Sequence, residues 1–113
     1  MHRLELLKWF SEQGVYQFNV ANDIGFTALM TASMAGHHKV VDWLTLQGAE
    51  VDLVNKFGDS ALTIAVSEGH FEVVKSLVEH GAEISDEMIA VAEKRKMAKI
   101  AHFLKWRAEG RHL

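Results

Sequence analysis

Two stretches of this 113-residue chain repeat one another at an offset of 33 residues without a gap. Gly25-Phe26-Thr27-Ala28-Leu29 aligns with Gly58-Asp59-Ser60-Ala61-Leu62, and Gly36-His37 with Gly69-His70. Val40-Val41 aligns with Val73-Val74, Leu44 with Leu77, and Gly48-Ala49-Glu50-Val51 with Gly81-Ala82-Glu83-Ile84. A fixed period of this length marks a solenoid of small units, none able to bury its apolar face alone and each stacking on its neighbours. The core of such a chain is a ribbon running through the stack.

One unit can be read residue by residue. Gly25 and Gly58 suit tight turns that need positive φ, and the hydroxyls of Thr27 and Ser60 stand where they can cap a helix. Leu29 and Ala32, then Leu62 and Ala65, face inward from a short first helix that Gly36 or Gly69 ends. Val40, Val41 and Leu44 recur at the spacing of a second amphipathic helix, which ends at Gly48 as its counterpart ends at Gly81. Asn22 and Asn55 open the turns, where either side chain can accept from nearby backbone amides.

The order of these landmarks resembles the ankyrin repeat: a turn, a Thr-Pro-Leu-His start, Gly-His, a Val-Val pair and Gly-Ala. The resemblance implies an all-α solenoid of stacked helix-turn-helix units with projecting hairpin turns. It assigns residues 22–54 and 55–84 to two full repeats, within one domain covering 1–113. Leu6, Leu7, Phe10 and Gly14 echo the second half of a repeat, so 1–21 is expected to be a partial N-terminal unit. Ala92, Ile100, Ala101 and Leu104 follow their counterparts at a spacing of 27, six short of the period. The missing residues are those of a turn, so Ser85 should lead almost directly into a closing helix pair over 85–113. Expected helices cover 2–12, 27–35, 37–47, 60–68, 70–80, 86–93 and 97–108, with hairpins near 15–26 and 49–59. Ala28 and Ala61 replace the family proline, and Met30 and Thr63 the histidine that ties neighbouring turns. Looser turns and moderate stability are therefore expected.

Functional chemistry is sparse. The chain has no proline, no cysteine and no apolar run near the roughly 18 residues of a membrane span. Charges interrupt the apolar stretch near the N-terminus, unlike a secretory signal, so a cytoplasmic, intracellular setting is expected. No phosphate loop, nucleophile elbow or His-Glu-x-x-His helix is present, and no enzymatic activity or cofactor is expected. His37 and His70 belong to the Gly-His landmark; they and His38 lack the short spacings of metal ligands, and no metal is expected. His2, His80, His102 and His112 read as isolated surface residues. Asp86 and Glu87 suit a helix start.

What remains is binding of another protein, as an adaptor, scaffold or inhibitor. The resemblance places partners on a concave face made by hairpin tips and the open sides of the first helices. Its positions here are Asp23, Ile24 and Phe26 at one tip and Lys56, Phe57 and Asp59 at the next. Met34, Ser67, Glu68, Lys94 and Arg95 stand at the helix ends. Two readings of Phe26 and Phe57 stay open, as partner contacts or as groups that pack over neighbouring turns. Residues 1–93 carry a net charge of −9 and residues 94–113 one of +6. The basic end suits either a solvated helix face or an acidic partner. Without an interleaved aromatic platform, nucleic acid is not expected. A monomer is expected, with the uncapped N-terminal helix as a further surface for association. The alternative role is a structural or regulatory docking arm belonging to a longer multi-domain protein.

Overall fold

The structure, a computed structural model, describes residues 20–110. Six helices follow in order: α1 (Ala28–Ala35), α2 (His38–Leu46), α3 (Ala61–Glu68), α4 (Phe71–Glu79), α5 (Asp86–Lys94) and α6 (Ala98–Ala108). They agree with the expected helices to within a residue or two; the helix expected over 2–12 lies outside the described residues. The described residues contain no strand, only isolated antiparallel bridges, Ala21 to Thr27 and Val54 to Ser60, that close the two hairpins. None of these helices is long and apolar enough to cross a membrane.

Local chemistry sets each helix pair. Thr27 and Ser60 have extended backbones, and their hydroxyls accept from the amides of Met30 and Thr63, satisfying donors that the first turn leaves open. Ser85 does the same for Met88 and starts the closing pair where the shortened spacing placed it. At the other end Gly36 (φ 78°) and Gly69 (φ 76°) take left-handed conformations in which the next amides bond back into the helix. This reverses the chain and lays the second helix antiparallel to the first. Lys96 holds the same conformation at the end of α5, with φ 60°, although it carries a side chain.

The pairs stack in two layers, α1, α3 and α5 in one and α2, α4 and α6 in the other. Leu44, Leu77 and Leu104 are fully buried at equivalent places in α2, α4 and α6. Burying each contributes about 1.5–3 kcal/mol relative to leaving it in water. Ala32, Ala65 and Ala92 occupy the equivalent inner positions, where small side chains let helices approach closely. The core is thus a ribbon of repeated positions, as the period requires.

Ties between units reinforce the ribbon. The His70 Nε2–H donates to the Met34 carbonyl across 3.0 Å, giving the Gly-His landmark its structural part. Ser76 donates to the Asp42 carboxylate, joining α4 to α2. At the family's histidine positions, Met30 is buried and the Thr63 hydroxyl lies 3.1 Å from that of Ser60. His80 is exposed but not isolated: its Nδ1–H donates to the Ser76 carbonyl at 2.8 Å, satisfying an acceptor at the end of α4. His2 and His112 lie outside the described residues.

Candidate functional site

The two hairpins dock on one another, and α1, α3 and α5 form one layer of the stack. Each tip is built around an asparagine. Asn22 Oδ1 accepts from Ile24 N (3.1 Å) and Phe26 N (2.9 Å), and Asn55 Oδ1 from Phe57 N (2.9 Å) and Asp59 N (3.1 Å). Lys56 N donates to the Ile24 carbonyl at 3.0 Å and docks the second hairpin on the first. Because Asn22 is exposed, its amide meets water. Asn55 is buried, and among the described residues its Nδ2 has no hydrogen-bond partner.

The residues expected at the site do not behave alike. Phe57 is 69% exposed and Ile24 43%, so both tips present apolar side chains to solvent. Phe26 is half-buried and packed on the core cluster, which makes it a packing group as well as a tip residue. Asp23 and Lys56 are exposed, and Asp59 is half-buried. Along the helices Met34 is exposed at the end of α1, Ser67 and Glu68 stand at the end of α3, and Lys94 lies in the last turn of α5. Arg95 is exposed yet occupied: its Nη1 donates to the Ser67 carbonyl at 2.7 Å. It joins two expected site residues and holds the closing pair to α3.

A cleft between α3 and α5 was not anticipated from the sequence. Thr63, Val66 and Ser67 form one wall, and Ser85, Glu87, Met88 and Val91 the other. Val91 is 36% exposed, on the open side of α5. The signal that could have found it was the third hydroxyl cap, Ser85, from which the open side of α5 can be counted. Asp86 and Glu87 sit in the first turn of α5, where carboxylates complement the positive end of the helix dipole.

Elsewhere the basic segment is partly tied down. Lys105 pairs with Glu93, and that carboxylate holds the Lys105 pKa above its ordinary value, first through the hydrogen bond and then through charge. The Lys99 ammonium lies 4.2 Å from the centre of the Phe71 ring, itself in edge-to-face contact with Phe103 at 5.7 Å. Phe103 and Trp106 are half-buried, and Phe103 packs against the core cluster. Among the described residues no three histidine, aspartate or glutamate side chains gather in a way that could hold a metal ion.

A stack of helix pairs in two layers, with hairpins that dock on one another, defines a repeat solenoid. The sequence profile of ankyrin repeats, three copies, matches residues 2–88, and the chain belongs to the ankyrin repeat family. Members of this family are generally protein-interaction modules rather than enzymes. Among solved structures it is similar to the human ASB11 ankyrin repeat domain, with a TM-score of 0.83 and 28% identity. That match covers 93% of this chain and 49% of the other, so the chain spans about half of that domain. No curated protein matches the chain.

Proposed function

We propose that the chain is a protein-interaction module holding a partner protein on the concave face of a single repeat domain, as an adaptor, scaffold or inhibitor in the cytoplasm. The observation that carries this reading is the row of apolar groups that the fold leaves in solvent there. Ile24 and Phe57 at the tips and Met34 and Val91 on the inner helices are more exposed than any demand of the ribbon explains. Exposed apolar groups ringed by charge favour association, because covering them releases water while the charged rim sets orientation.

The test uses a partner recovered by affinity capture, purified and titrated against the chain. The double change Ile24→Ser and Phe57→Ser should weaken binding at least ten-fold and leave the melting temperature nearly unchanged. Phe26 is left alone, since its packing would confound the result. Undiminished binding by the double variant would move the site to the opposite face.

A further inference from the structure

The first hairpin of the stack receives the second. Lys56 N donates to the Ile24 carbonyl, and the backbone of Asn55 lies so close to Gly25 that a Cβ there would come within 2.9 Å of Asn55 Cα. One period later the arrangement is open. The residue 33 places after Lys56 is Ile89, already inside α5, because the closing unit omits its hairpin. Among the described residues no backbone amide is directed to the Phe57 carbonyl, and a Cβ on Gly58 would meet nothing within 4 Å. The second hairpin therefore ends the row with an unused acceptor and an open flank. The cleft between α3 and α5 offers a cavity of about 80 Å³.

Resting on the reading of this face as the partner site, we propose that an extended peptide segment of another protein occupies the place of the missing hairpin. One of its backbone amides donates to the Phe57 carbonyl, as Lys56 does to Ile24, which is strand addition on a very short edge. A branched aliphatic side chain of the segment enters the cleft against Val66, Met88 and Val91, and the Thr63 and Ser67 hydroxyls flank its backbone. The segment carries lysine or arginine beside that anchor. Glu87 lines the cleft, with Asp86 beside it in the first turn of α5, whereas Arg95 is tied to the Ser67 carbonyl on the opposite wall, so a basic side chain next to the anchor meets Glu87 favourably.

The experiment titrates a positional-scanning library of nine-residue peptides against the full chain by fluorescence polarisation. Selection should favour Val, Ile or Leu at one position with Lys or Arg beside it. Val91→Lys should weaken the best peptide at least ten-fold. Glu87→Lys should turn the flanking preference from basic to acidic. N-methylation at one peptide bond should also cost at least ten-fold, and at the others little. Both substitutions are at exposed positions, and an unchanged thermal melt confirms that the variants fold. The proposal is overturned if no library member binds, if Val91→Lys is neutral, or if no single N-methyl group matters. Should Val91→Lys be neutral while Ile24→Ser abolishes peptide binding, the cleft is wrong and the broader face stands. If neither variant affects binding, both readings fall.

Discussion

The middle unit and the closing unit are built on one plan and differ in every place where a further neighbour would act. In the middle unit Val66 and Val78 are buried. At a spacing of 27 residues their counterparts are Glu93 and Lys105, which are exposed and paired with each other. Gly69 ends α3, whereas Lys96 ends α5 in the same left-handed conformation. His70 ties the middle unit to the Met34 carbonyl; Met97 stands at the equivalent place, and Arg95 supplies the bond to the Ser67 carbonyl. The difference teaches that a repeat keeps its inner ribbon and is free to change whatever faced the next unit. Leu77 and Leu104 remain fully buried alike.

The largest expected effect tests whether the ribbon is one cooperative body. Leu77→Ala should cost on the order of 2–5 kcal/mol, the usual range for truncating a buried leucine, and should unfold most of the stack because so few units support one another. Leu104→Ala, at an equally buried position, should fall in the same range. Hydrogen exchange that leaves α1 and α2 fully protected in Leu77→Ala would break the idea of one body.

Next comes the reversal between the two helices of a unit. Gly36→Ala should cost about 2–3 kcal/mol, of which roughly 1–2 reflects the left-handed backbone. The remainder comes from a Cβ placed 2.9 Å from the His70 ring. Gly69→Ala should cost only the backbone part, because its nearest neighbour would be Met97 Cε at 3.6 Å. Equal losses in chemical denaturation would show that the His70 ring yields freely and that the two reversals are equivalent.

A smaller gain is expected where the closing unit departs from glycine. Lys96→Gly should raise stability by about 0.5–1 kcal/mol, since relief of the left-handed conformation exceeds the entropy that glycine adds to the unfolded chain. A loss in the thermal melt would mean that the Lys96 side chain contributes contacts of its own. The smallest effect concerns the ion pair. Glu93→Gln should return the Lys105 pKa toward the ordinary lysine value, followed by side-chain NMR titration. Because that pKa is raised on folding, the pair stabilises the chain below the unfolded value, and the contribution disappears as pH rises through the folded one. An unchanged Lys105 titration would sink the assignment of the shift to Glu93.

Much of this molecule was legible in its sequence because a repeat states the same local rule more than once. Hydroxyl caps at Thr27 and Ser60, glycines at 36 and 69, and the spacing of Val40, Val41 and Leu44 each act within a turn or two of chain. Local signals of that kind survive without knowledge of tertiary neighbours. The six-residue deficit before the closing pair was legible for the same reason, and it placed the start of α5 at Ser85. The candidate site was less so. Ile24 and Phe57 could be numbered from the repeat, but the same pattern offered Phe26, and only its burial separates packing from display.

By itself, then, the sequence determined the period, the helices within it and the residues of the ribbon, since those follow from contacts that recur at fixed offsets. Tertiary structure alone decided what the irregularities do. The donor to the Ser67 carbonyl is Arg95 rather than the residue aligned with His70, because a long side chain reaches through space and is not bound by register. Among the described residues the Asn55 amide is buried without a partner whereas Asn22 is exposed, because burial at a turn depends on the unit beside it. Where the hairpin is omitted, no described backbone amide reaches the Phe57 carbonyl, since a gap in one unit acquires meaning only from the surface its neighbour leaves uncovered.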